Sequence, residues 1–447
     1  MKLLHMLPAL KPGGPVQALQ VLMARSEEFE HTVVSLDAAV RGQDLLALRR
    51  QGAKLLRAPE QTQLAEAVAA SDVVLVHFYN HPLLIRALGG ELPPARWMVW
   101  YKVLGRSAPQ FFYPRRLGQG VKCLFTAANE AASPEDVIPS MVREAFVGLQ
   151  REAHEGLVID YIGSTNMAKL HPQAIEYLAQ LRHPQMKIRI HGGPLDACMQ
   201  HQLAQASNQS SFELGGYSTD VADLLATSDI FVTPMAPGSY ASSDIALQEA
   251  MHAGLAVAVL GNSGPADMIS NGKDGLVSSS GDGFVQAVQS LCDNKALRQR
   301  LGDGARASAR RRFDPAVNAA RMREAIGQRG AQARCHFGFS QAADLPASSL
   351  YLMSQGWTEA QAGDAQACWQ QGERQALADY ATSLSEVAAR VEGGLIQWRN
   401  AFPEDNVLRW LSASWHASAG DESTARAELA GLDLPGARMP GSLGQAE

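Results

Sequence analysis

An α/β architecture is predicted: two domains, each wound around a mostly parallel sheet and facing the other across a cleft, followed by an all-helical extension. Three observations predict it. Short apolar, β-branched runs alternate with helical patterns through the first 330 residues, the mark of stacked βαβ units. The alternation breaks in a polar stretch containing "REAHEG" and starts afresh near Val158. From about Gly330 the strand patterns stop, and Ala- and Gln-rich amphipathic segments take over.

In the first third, strands are predicted at Leu3–Leu7, Thr32–Leu36, Val73–His77, Trp97–Tyr101 and Cys123–Thr126. Between the first two, "GGPVQALQVLMARSEEF" carries apolar residues at helical spacing and begins just after a Lys-Pro turn. The second series reads "LVIDYIGS", "MKIRIHGG", "SFELGGY", "DIFVTP", "LAVAVLG" and "GLVSS". Both halves are thus Rossmann-like, a duplication of architecture without a legible sequence repeat. The expected organisation is a domain over 1–145, a second over 156–330, helices over 331–435 and a disordered tail over 436–447. Within the helices, "NVLRWLSASWHASAGDESTARAELAGLDLP" looks like one tetratricopeptide unit. Trp410, Leu411 and Trp415 share one helix, Gly420-Asp421 make the turn, Ala425 follows and Pro435 ends it. A single unit has no repeat neighbour on which to bury its face.

Composition sets the boundaries of function. The chain has 447 residues, with 39 Lys and Arg against 45 Asp and Glu for a net charge of −6. That balance excludes the broad basic surface that nucleic-acid binding requires, so any bound anion must sit in a local pocket. No apolar run approaches the roughly 20 residues that span a bilayer. The opening "MKLLHMLPALKPGGP" fits a first strand ending in a loop better than a signal peptide, and a cytoplasmic location is expected. The five cysteines lack metal-site or framework spacing.

Open α/β sheets bind ligands beyond the carboxyl ends of their strands, so the residues there carry the candidate chemistry. Gly13-Gly14 follow the first strand; they are a tight turn or a close approach to an anion at a helix N-terminus. The spacing is not G-x-G-x-x-G, so Asp37 at the end of the second strand does not make a dinucleotide site. His77 is carried to the end of an apolar strand, with His81 four residues on, and is either a core histidine or a cleft residue. Lys169 stands in a loop before a helix, a solvated charge or a phosphate contact. Ser242 and Ser243 are candidate N-caps of a helix whose first amides point at the cleft. Glu249 lies about two turns into that helix, and Gly254 marks its end.

This last segment, "QEAMHAGLAVAV", resembles the signature of family-four glycosyltransferases, retaining enzymes of the GT-B fold. "YIGSTNMAKLHP", "IRIHGGP", "FELGGYSTDVADLLATSDIFVTP" and "ADMISNGKDGLVSSSGD" resemble further family motifs in the same order, covering about residues 1–326 and strongest from Val158 on. The resemblance implies a nucleotide-diphosphate sugar as substrate, no metal and no cofactor. It implies that Gly13 and Gly14 face the donor diphosphate, that His77 lies beside the transferred sugar, and that Lys169 meets the phosphates. Ser242 and Ser243 would stand at the diphosphate, and Glu249 would hold the donor ribose hydroxyls.

Two positions depart from the pattern. Ala241 stands where the family has the first Glu of its E-x7-E pair, and Ser164 replaces the donor-loop Arg. Asp244 is the nearest carboxylate to supply the missing catalytic function. The acceptor is expected in the first domain, where "WYKVLGRSAPQFFYPRRLGQ" mixes aromatics with Arg106, Arg115 and Arg116. It is a surface loop or a contact for a glycan, lipid-linked or protein acceptor. The alternatives are a catalytically degenerate protein of the same fold, with the helical extension docking a protein partner, and a sugar-nucleotide epimerase, which the lack of an acid at Ala241 disfavours.

Overall fold

The computed structural model describes residues 1–11, 13–39, 42–111, 117–128, 132–218, 220–261, 264–338, 345–430 and 432. The first sheet comprises β1 (Lys2–Leu7), β2 (Glu30–Ser35), β3 (Lys54–Arg57), β4 (Val73–Phe78), β5 (Trp97–Tyr101) and β6 (Lys122–Phe125). Its helices are α1 (Gly14–Ala24), α2 (Gly42–Arg50), α3 (Gln61–Ala69) and α4 (Pro82–Gly89). The second sheet comprises β7 (Leu157–Ile162), β8 (Met186–His191), β9 (Phe212–Gly216), β10 (Ile230–Pro234), β11 (Ala256–Leu260) and β12 (Leu276–Ser278). With it run α5 (Ala174–Ala179), α6 (Ala197–Gln205), α7 (Val221–Ala226), α8 (Ile245–Ala253), α9 (Gly281–Asp293) and α10 (Lys295–Arg312).

The sheets run β3-β2-β1-β4-β5-β6 and β12-β11-β10-β7-β8-β9, with parallel pairing throughout. Numbered within each half, both orders are 3-2-1-4-5-6, so the architectural duplication is real and each half reverses direction once, at β1/β4 and at β7/β10. Central strands are apolar on both faces, as helices on each side of a parallel sheet demand: "VVLVHF" and "WMVWY" are buried along their whole length. One strand, β3, has no counterpart in the predicted set. It is a four-residue edge strand, "KLLR", half-exposed and without an apolar run to betray it.

One face of the first sheet packs Leu3, Leu75 and Trp100 against α1 and against α11 (Pro315–Gly330). The chain therefore leaves the second domain after α10 and returns to cover the first. The other face joins the helical extension, made of α12 (Ala347–Ser354), α13 (Glu359–Gln371), α14 (Gln375–Ser383), α15 (Glu386–Arg390), α16 (Leu395–Ala401), α17 (Asn406–Ser418) and α18 (Glu422–Leu429). Leu84, Ile85, Trp97 and Tyr101 of the first domain share one core with Tyr351, Trp398, Leu408 and Trp410 of the extension. Polar ties reinforce the seam: Arg86 donates to the Ala401 carbonyl at 2.5 Å and Trp97 Nε1 to the Cys335 carbonyl at 3.0 Å.

The segment likened to a tetratricopeptide unit is an antiparallel helix pair, α17 and α18, turning at Gly420 (φ +81°) with Asp421 capping α18. It buries Trp410, Leu411 and Trp415 in the core shared with the first domain, which supplies the partner surface a lone unit lacks. Pro435, the 436–447 tail, Arg115 and Arg116 lie outside the described residues. Among the described residues, no helix is long and apolar enough to cross a membrane.

Candidate functional site

The loop leaving β10 and the start of α8 touch the first domain at the segments following β5 and β6 and at α1. Contact between the domains is direct. Leu104 N donates to the Tyr240 carbonyl at 3.0 Å, and Ser242 Oγ donates to the Lys102 carbonyl at 2.9 Å. Ser242 Oγ also lies 2.8 Å from Thr126 Oγ1. Gly14 sits so close to α8 that a Cβ on it would stand 3.2 Å from Ile245 Cδ1. Gly13 has φ +148°, which only glycine adopts readily, and a Cβ there would meet nothing within 4 Å. Of the two glycines, Gly14 serves domain contact and Gly13 borders open space.

In the second domain, Lys169 reaches back over the β7 loop. Its Nζ lies 2.8 Å from Asp244 Oδ2, with the two side chains 18% and 5% exposed. This rules out the solvated-charge reading of Lys169. Gly163, at φ +158°, makes room: a Cβ there would come within 3.0 Å of both Lys169 Nζ and Tyr161 Oη. The Ser164 side chain brings no cation to this point, and its carbonyl accepts from Tyr161 Oη.

The start of α8 differs from expectation. Its N-cap is Asp244, whose Oδ1 accepts from Leu247 N at 3.2 Å, and neither Ser242 nor Ser243 caps it. The Ser242 hydroxyl is committed to the other domain, and the Ser243 hydroxyl accepts from Gln248 Nε2. The expected end is found: Gly254 closes the helix at φ +73° in the left-handed conformation.

Glu249 is 3% exposed, so it is no solvated helix face. Gln17 Nε2, from α1 of the first domain, donates to its Oε1 at 2.5 Å. Burial pushes its pKa up to about 7, against the pull of the Gln17 hydrogen bond and the Arg143 charge, with the Asp244 charge adding to the rise. Among the described residues Gln17 is its one hydrogen-bond donor, which leaves acceptor positions for paired hydroxyl donors once the group is ionised.

His77 requires correction. Strand β4 runs one residue past it to Phe78, and the alternation of the pleat turns His77 to the face that carries Leu75, toward the interior. The ring is fully buried, with its Nε2 3.2 Å from His5 Nδ1; His5 Nε2 in turn lies 3.0 Å from His31 Nδ1. His31 Nε2 donates to the Ser26 carbonyl at 3.0 Å, which fixes every tautomer in the row and leaves His77 Nδ1 bare and unpartnered. Burial holds the His5 and His77 pKa values well below the ordinary value, so both are neutral core histidines. Full burial of the ring does not support the expected place of His77 beside a transferred sugar. His81 caps α4, accepting from Leu83 N at 3.2 Å.

Three groups at the cleft went unnoticed in the sequence. Gln17 is one. Lys102, just past β5, lays its buried Nζ on the Trp100 ring, 2.8 Å from the centroid and without a hydrogen-bond partner among the described residues, and burial holds its pKa well below the ordinary value. The third comes from the extension. Glu392 Oε1 lies 3.3 Å from Tyr79 Oη, 3.5 Å from Lys11 Nζ and 3.7 Å from His81 Nε2, placing an extension carboxylate beside the loops leaving β1 and β4. Its only sequence trace is the Gly393-Gly394 break in the helical pattern. Arg106 donates to the Ala128 carbonyl at 3.4 Å, a local loop contact. Among the described residues no group of three or more His, Cys, Asp or Glu is placed to hold a metal ion.

Residues 144–308 match the family described as glycosyl transferases group 1. No curated protein matches the sequence significantly. Solved structures share the fold. A glycosyltransferase from Rickettsia africae superposes with TM-score 0.59 at 15% identity, over 74% of this chain and 99% of that one. Alr3699/HepE of Anabaena, in complex with UDP-glucose, gives 0.57 at 17%, over 73% and 100%. WaaG, a glycosyltransferase involved in lipopolysaccharide biosynthesis, gives 0.53 at 16%, over 72% and 99%. Each is covered almost end to end while about a quarter of this chain is left over. The fold is GT-B, with an all-helical region added.

Proposed function

We propose that the protein is a retaining glycosyltransferase that moves a sugar from a nucleotide-diphosphate donor to a glycan, lipid-linked or protein acceptor, without a metal. The observation that carries this reading is the alignment, at the β7/β10 reversal, of Lys169, the opening of α8 and Glu249 within a stretch matching the group 1 family. Departure of a nucleoside diphosphate builds negative charge on the phosphates. A fixed ammonium and helix-end amides stabilise that charge where it develops. Glu249 would accept from two vicinal ribose hydroxyls, and Gly13 borders the space the diphosphate needs. The direct contacts between the domains favour exclusion of water and alignment of the reactants. Retention and the absence of a metal come from the family resemblance.

The test is calorimetry with UDP, GDP and ADP, followed by donor hydrolysis without acceptor and assignment of the anomer formed on transfer. Nucleotide binding that Glu249→Ala leaves unchanged would overturn the ribose assignment, and an inverted product would overturn retention.

A second reading has its own support: a catalytically degenerate member of the fold that acts as a binding or stabilising partner. Ala241 and Ser164 lack the expected acid and cation, and Lys169 is already paired to Asp244. Nucleotide binding without turnover of any donor, across many acceptors, would favour it.

A further inference from the structure

Two features draw a phosphate to the β7/β10 end of the cleft: the Lys169 ammonium and the amides opening α8. In this structure both meet at one carboxylate. Asp244 Oδ2 is 2.8 Å from Lys169 Nζ, and Oδ1 accepts from the α8 amide of Leu247 at 3.2 Å. Tyr161 Oη and Lys169 Nζ both border the same glycine, Gly163. Capping accounts for Oδ1 alone, since Asn and Ser cap a helix about as well as Asp. It does not account for a largely buried cation held on the second oxygen.

We infer that Asp244 is a built-in counter-anion, standing where a ligand phosphate oxygen binds, so that a diphosphate must displace it from Lys169. Asp244 is then a specificity-determining residue and not a catalytic one. It neutralises the site when empty and weakens multiply charged ligands relative to an uncharged nucleoside. This rests on the reading of Lys169 and α8 as the diphosphate end of the cleft. The charge arithmetic agrees with the departures from the family pattern. The site has no arginine at Ser164, and the cation that remains, Lys169, is already paired to Asp244.

The experiment compares the wild type with Asp244→Asn and Asp244→Ser, both of which preserve the cap. Calorimetry at fixed ionic strength uses inorganic pyrophosphate, uridine diphosphate and uridine. Both variants bind pyrophosphate and uridine diphosphate about tenfold tighter or more, the equivalent of one modest ion pair, while uridine is unchanged. Adding Lys169→Ala to Asp244→Asn abolishes the gain. The empty variants melt at lower temperature than the wild type, because Lys169 is left unpaired, and they gain more on adding uridine diphosphate. Unchanged or weaker pyrophosphate binding in both folded variants, including no binding in any protein, overturns the inference. A gain for pyrophosphate with uridine diphosphate no tighter than pyrophosphate supports the role of Asp244 and counts against the nucleotide-sugar reading instead.

Discussion

Replacing Glu249 by Gln gives the most direct readout of the candidate site. The carboxyl is buried on α8 with a single donor among the described residues, Gln17, and its pKa stands at about 7 against an ordinary value of 4.5. A raised acid pKa means that the folded state holds its proton where the unfolded chain has lost it. The carboxyl therefore does not penalise folding below pH 4.5, and its penalty grows as pH rises from 4.5 to 7 and levels off above. At about 1.36 kcal/mol per unit, a shift of roughly 2.5 units sets a ceiling of ~3 kcal/mol. Gln at this position still accepts from Gln17 through its amide oxygen and carries no charge to desolvate. Urea unfolding of both proteins, followed by tryptophan fluorescence at pH 5, 6, 7 and 8, measures the difference. Glu249→Gln becomes the more stable protein as pH rises, by about 1–3 kcal/mol between pH 5 and 8. Parallel curves for the two proteins, or a variant that loses ground with rising pH, would refute the assignment of a raised pKa to this carboxyl.

Further expectations follow from neighbouring residues. Lys169→Ala weakens uridine diphosphate by about tenfold or more and leaves uridine unaffected in calorimetry; equal losses for both remove Lys169 from the phosphate end. His77→Phe lowers stability by about 1–3 kcal/mol, because His5 Nδ1 loses its donor, yet preserves nucleotide affinity. A folded His77→Phe protein that fails to bind nucleotide would restore the ring to the cleft. Trp398→Ala, in the core shared by extension and first domain, costs about 3–5 kcal/mol and lowers the melting of both together. A separate early transition confined to the extension would contradict a single core.

Most of the fold was legible because parallel strands buried on both faces leave unmistakable apolar runs. Only the edge strand "KLLR" escaped, being too short and too exposed to carry a pattern. What periodicity cannot convey is docking. Helix α11 follows the second domain in sequence yet covers the first sheet, since Ala319, Met322 and Ile326 fit the face bearing Leu3 and Trp100. The positions of some candidate residues were legible too. Lys169 and Glu249 stand at strand-end and helix positions that local pattern fixes, and both are at the cleft. His77 differs from the expectation because β4 runs on to Phe78, so the residue stays within the pleat on the buried face of Leu75 and does not leave on the loop. Asp244 was noticed as a carboxylate but not as a cap, a distinction that depends on where the helix starts. Glu392 depends on tertiary contact across more than 300 residues of chain, as its bond with Tyr79 shows, and no local signal points to it.

The return of α11 and the extension to the first sheet has a consequence for how the chain is made. The body that holds the first sheet is discontinuous, assembled from both ends of the sequence with the second domain inserted between them. A ribosome delivers β1 to β6 first, yet Trp97, Leu84 and Ile85 receive their covering only when Trp398 and Leu408 emerge. The inserted domain, with its own two cores, is complete by α10 and free to fold ahead of the body that precedes it. Nascent first-domain strands thus wait with a bare apolar face while a later domain matures, an interval in which a chaperone has something to hold.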